Sequence, residues 1–182
     1  MARFDAKYAR KSYKIALASM MAALSVIALY IGVVVPGIRV TMYFLSSVFV
    51  MPMLIEEQPS MALLQFGVVS GISLLIVPNI LMVLPYVLLF GHYGIAKYYI
   101  ERMTNKALAY VIKLIYFDIF MVLIYIICGS VFFTGMFENM ALWLIALLMQ
   151  VFFLVFDYLF SKVTVYYVKN IRERLLRQGN GM

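Results

Sequence analysis

The chain has 182 residues, 66% of them apolar and 13% charged, with a mean hydropathy of +1.00. So few charges cannot cover a water-soluble surface, and the composition excludes a soluble domain. The net charge of +7 would suit a nucleic-acid binder, but the basic residues sit just outside apolar runs, the pattern of membrane topology, so nucleic acid is rejected as a partner.

The apolar runs predict an all-α membrane protein, six transmembrane helices in a compact bundle, with residues 1–182 as a single integral membrane domain. A helix needs roughly 20 residues to cross ~30 Å of hydrocarbon. Span one, about Ile15–Val35, is too long for the core of a cleaved signal peptide and stops at Pro36-Gly37. Span two, about Val40–Ile55, ends at Glu56-Glu57-Gln58-Pro59-Ser60. Span three, about Met61–Val77, closes at Pro78-Asn79, and span four, about Ile80–Ile100, at Glu101-Arg102. Span five, about Ala107–Phe133, precedes the loop 134–139, and span six, about Met140–Val168, runs into a basic tail. Spans two and three are short, so tilting or partial burial is expected there.

Six spans put both termini on one side. Of the 15 basic residues, 14 fall on that side and only Arg39 on the other. The positive-inside rule makes that side cytoplasmic and the protein a multi-pass component of a bacterial plasma membrane.

Span one carries small residues at Ala18, Ala22, Ser25, Ala28 and Gly32, on one helical face. Such a ridge lets another helix approach closely, either within this chain or from a separate membrane subunit. Gly67 and Gly71 in span three form a GxxxG pair, expected to pack within the molecule.

The run Lys14-Ile15-Ala16-Leu17-Ala18-Ser19-Met20-Met21-Ala22-Ala23-Leu24-Ser25 resembles the first helix of the substrate-binding (S) components of energy-coupling factor transporters. Those open with a basic residue, an apolar run and an AxxxA pair, matched by Ala18 and Ala22. Size, six spans, cytoplasmic ends and a short external loop one agree in layout. The resemblance implies a high-affinity binding protein for a vitamin or related micronutrient. It implies Ala18, Ala22 and Ser25 as the contact with a transmembrane coupling subunit, and two ATPase subunits that supply the energy. The pocket would lie toward the outside.

Residues suited to such a pocket are present. Arg39 is the one outer cation, with Tyr43 one turn beyond it. Asn79 and Tyr86 stand in the outer half of span four, and Glu138, Asn139 and Trp143 flank the outer start of span six. Aromatic walls with a few placed polar groups suit a flat heteroaromatic ligand. The same aromatics also fit an interfacial belt, and Arg39 a lipid phosphate.

The polar residues at membrane depth are His92, Lys113, Asp118, Gln150 and Asp157. Charge there usually faces the bundle and finds a partner. A Lys113–Asp157 ion pair is one reading, and a proton relay through His92 and Asp118 the other. No GxxxxGK[ST], HExxH or GxSxG occurs, which points away from an enzyme. One His and one Cys, in different spans, give no usual metal site, and no cofactor is implied. Beside the binding subunit stand two alternatives: a small scaffold or assembly subunit like the MreD morphogenesis proteins, and a proton-coupled carrier or intramembrane enzyme.

Overall fold

The computed structural model describes residues 2–132 and 142–172, and every regular element among them is helical. Five helices are long and apolar enough to cross a membrane: Ser12–Val34, Pro59–Ile76, Ile80–Ile100, Lys106–Gly129 and Trp143–Asn170. A further apolar path, Arg39–Ile55, is shorter. The protein is a multi-pass helical membrane protein. Its chain divides into two units, Met1–Phe133 and Thr134–Met182.

In the first unit, α1 (Ala2–Val34) extends the first span back through the polar lead. A 3-10 turn, Pro36–Ile38, then reverses the chain into α2 (Arg39–Val48). Span two is therefore not the single helix that the apolar run from 40 to 55 suggests. The chain turns at residues 49–50 and restarts as α3 (Met51–Ile55), with Pro52 in its opening turn. Proline has no N–H for an i−4 bond and is tolerated only in the first turn, so the helix breaks just ahead of it. At the end of α3 the Glu57 and Gln58 N–H groups donate to the carbonyls of Leu54 (3.1 Å) and Met53 (2.9 Å). That is a Schellman ending, with Glu57 at φ 56° in the left-handed position where glycine is usual.

α4 (Pro59–Ile76) crosses back, its buried stripe formed by Ala62, Gln65, Val69 and Ser73. The fourth span also departs from one regular helix. It opens as a 3-10 turn, Ile80–Met82, widens into a π turn, Tyr86–Phe90, and only then becomes α5 (Gly91–Ile100). Pro85 is the cause: it cannot bond the Leu81 carbonyl, and its ring crowds that group. Side chains take over the freed acceptors, as a membrane interior requires. Cys128 Sγ donates to the Leu81 carbonyl (3.6 Å), and Tyr43 Oη donates to that of Met82. α6 (Lys106–Phe132) packs along α5, the π turn and the 3-10 turn at 80–82.

Two apolar clusters mark the two ends of this unit. Val50, Met53, Leu54, Ala62 and Ile95 gather Leu17 and Ala18 at the end bearing Lys14 and Glu56. Val33, Val77 and Val83 gather Leu74, Met82 and Val87 at the opposite end, beside Arg39 and Asn79.

The glycines divide by contact. A Cβ on Gly32 would stand 2.8 Å from Met42 Cβ, and one on Gly91 would stand 2.7 Å from the Phe66 ring. Both mark close helix approaches. Gly67 and Gly71 are different: among the described residues nothing lies within 4 Å of a Cβ on either. The expectation that this pair packs inside the molecule is corrected, because α4 buries the other side of its helix and leaves Leu63, Leu64 and Leu75 outward with the glycines.

In the second unit, α7 (Leu142–Tyr166) leads into a π turn, Tyr167–Arg172. Leu147, Val151, Leu154 and Tyr158 form an exposed apolar stripe on α7 at helical spacing.

Candidate functional site

The most distinctive chemistry begins at the N-terminal end of α2. Arg39 opens the helix directly after the Pro36–Ile38 turn, and its Nε is buried without a hydrogen-bond partner among the described residues. Tyr43, one turn on, is fully enclosed, its ring 5.5 Å from that of Phe90. Its hydroxyl ties α2 to the Met82 carbonyl in the fourth span. Asn79 caps the 3-10 turn beside it, its Oδ1 accepting from the Leu81 N–H at 3.1 Å. The structure thus brings Arg39, Tyr43, Asn79 and Tyr86 to one region. There Tyr43 and Asn79 act on the backbone of the span opening, while the Arg39 Nε keeps a donor without a partner among the described residues.

Further along the same face of α2 a hydroxyl seam begins. Ser46 and Ser25 exchange reciprocal hydrogen bonds, each Oγ 3.3 Å from the other's carbonyl. Tyr86 is fully buried, its ring 6.2 Å from Phe66 of α4 and its hydroxyl toward Ser46 without well-directed hydrogen-bond geometry. On α4, Phe66, Ser70 and Ser73 follow one another at spacings of four and three, so they share a face. The hydroxyls of Ser47, Ser70, Ser73 and Tyr86 and the Oε1 of Gln65 are buried, with no hydrogen-bond partner among the described residues. Gln65 anchors only its Nε2, on the Phe49 carbonyl at 3.0 Å. Each buried polar group left unpaired costs about 1–3 kcal/mol. Five of them would rival the whole stability of a typical domain, about 5–15 kcal/mol.

At the other end of the bundle the polar groups are paired. Lys97 and Lys113 are 4% and 2% exposed, and both reach Glu101 Oε1, at 3.2 and 3.1 Å. Glu101 itself stays about half exposed, and Lys106 Nζ donates to its carbonyl (3.1 Å). Lys113 also lies over the Tyr110 ring at 4.5 Å. Glu101, of its own unit, is thus a carboxylate partner of Lys113. Asp157 and Gln150 belong to α7 in the second unit, where Asp157 accepts from Ser161 Oγ through its carbonyl (2.8 Å).

His92 sits in an aromatic nest of Phe66 (5.5 Å), Tyr116 (5.8 Å) and Phe120 (4.9 Å), with its Nδ1 bonded to the Tyr116 hydroxyl. Asp118 is two residues beyond Tyr116, about 200° round α6, on an exposed flank with Ile115, Ile119 and Val122. The His92–Asp118 relay expected from membrane depth is therefore not assembled: α6 turns the two groups to opposite sides.

On α1, Ser25 is fully buried through its bonds with Ser46, and Ala28 and Gly32 are enclosed with it. Ala18 leans on the cluster around Met53, while Ala18 and Ala22 remain half-buried. The C-terminal part of the ridge thus serves contact with α2. Trp143, at the start of α7, is 69% exposed. Glu138 and Asn139 lie outside the described residues.

The seam serines and Gln65 were missed from the sequence. A signal existed, because Ser70 and Ser73 follow Phe66 at helical spacing, and Ser46-Ser47 falls two turns after Arg39 on the Tyr43 face.

Comparison with protein-family models, curated proteins and solved structures finds no match for this chain.

Proposed function

We propose that the protein is the substrate-binding subunit of an importer of the energy-coupling factor type, capturing a vitamin or related micronutrient from outside the cell. In this reading the short, broken path Arg39–Ile55 completes a sixth crossing, and both termini face the cytoplasm. The observation that carries it is the buried Arg39 Nε, without an acceptor among the described residues, at the end opposite Lys14. A guanidinium donor in a partly enclosed site suits a carboxylate or carbonyl on a ligand. The coupling subunit would approach α1 at Ala22 and its exposed neighbours Ser19 and Ala23, and two partner ATPases would supply the energy.

The scaffold reading keeps one specific support, the outward Gly67 and Gly71 of α4, a surface suited to helix association. Unbiased mass spectrometry of small molecules released from the purified protein separates the two. The binding reading expects one stoichiometric polar or aromatic metabolite; release of lipid alone would reject it in favour of the scaffold.

A further inference from the structure

We propose that the turn between α5 and α6 binds the phosphate of an anionic phospholipid, with Arg102 as its principal ligand. The spans Ile80–Ile100 and Lys106–Gly129 end and begin on either side of residues 101–105, which puts this turn at headgroup level. Tyr99 and Tyr110 flank it with exposed rings, as side chains at a lipid interface do.

The turn presents charge in a fixed geometry. The Arg102 side chain is exposed, yet its guanidinium is stacked over the Tyr98 ring at 4.0 Å, and Nη2 donates to the Tyr98 hydroxyl. Tyr98 is itself held in place, against the buried cluster of Val50, Met53 and Ile95. A guanidinium carries five donors in a planar fork that matches phosphate, and the tyrosine takes one of them. Because the stacked side chain is already ordered, little freedom is lost when an anion arrives. Lys106, also exposed, is tethered to the same turn by its bond to the Glu101 carbonyl (3.1 Å).

Nothing on the turn offsets these two cations. Its one acid, Glu101, is already engaged by Lys97 at 3.2 Å and Lys113 at 3.1 Å. α6 opens at Lys106 with no acid in its first turn, so the positive end of the helix dipole adds to the same field. A zwitterionic headgroup brings no net charge to it, and an anionic one does. This inference is independent of the solute that Arg39 receives.

Native mass spectrometry of the full chain in detergent, titrated with phosphatidylglycerol or with phosphatidylcholine of the same acyl chains, tests it. The wild type is expected to hold phosphatidylglycerol severalfold more tightly. Arg102→Gln and Lys106→Gln should each weaken that binding about fivefold. Lys162→Gln removes the same charge from α7 and should leave it unchanged. Equal wild-type affinity for the two lipids, or undiminished binding in both turn variants, would overturn the proposal. So would an equal loss in all three variants, the mark of unspecific attraction to net positive charge.

Discussion

Tyr86 lies within a membrane span and Glu101 directly after its end, and their surroundings treat polarity in opposite ways. Around Glu101 two buried lysines converge on a single carboxylate oxygen that still reaches water. The Tyr86 hydroxyl, those of Ser47, Ser70 and Ser73 and the Gln65 Oε1 are uncharged, and the described residues leave them without a partner. The difference follows from what each group loses on burial. An ammonium taken out of water without a partner is prohibitively expensive, so the protein fixes one at short range. A neutral hydroxyl loses far less on burial than an ammonium does.

The largest effect is expected at the paired end. Glu101→Ala removes the carboxylate shared by Lys97 and Lys113. Breaking a buried pair costs about 3–5 kcal/mol; discounted for the half exposure of Glu101, roughly 2–3 kcal/mol of stability should be lost. Chemical unfolding in detergent would measure it, and an unchanged midpoint would mean that this carboxylate does not hold the two lysines.

Next comes packing beside the seam. Gly91→Ala drives a methyl to 2.7 Å from the Phe66 ring and should cost about 1–3 kcal/mol. Gly67→Ala, on the open face of α4, should be neutral or gain up to ~1 kcal/mol from helix propensity. If both behave alike in thermal melts, the assignment of the closed and open faces of α4 is wrong.

The smallest effect is a gain. Glu57 holds a left-handed conformation at the close of α3, so Glu57→Gly should stabilise by about 0.5–1 kcal/mol. Loss of stability instead would show that the Glu57 side chain makes a contact worth more than its backbone strain.

Much of this architecture was legible in the sequence. Apolar length and flanking charge placed the five long spans, and Pro36, Pro59 and Pro78 marked real boundaries. Pro52 and Pro85 were harder to read, since each lies within an apolar run and its effect depends on groups that replace lost backbone bonds. Cys128 and Tyr43, which reach the freed carbonyls of Leu81 and Met82, are remote from them in sequence. Facing was less legible still. In lipid both sides of a helix are apolar, so hydropathy did not reveal that α4 buries Gln65 and Ser73 and exposes Gly67. Arg39 stood out because it was alone on its side, whereas the His92–Asp118 pairing rested on depth and failed on helical angle.

The most direct measurement for the central claim is a binding titration of the released small molecule against wild-type protein and the Arg39→Ala variant. A charge-assisted hydrogen bond contributes about 1.5–3 kcal/mol, which corresponds to a roughly ten- to hundredfold loss of affinity. The account predicts that loss for Arg39→Ala, with wild-type affinity retained by Asp157→Asn. Equal affinity in wild-type protein and Arg39→Ala would contradict the account and move the site away from the opening of α2.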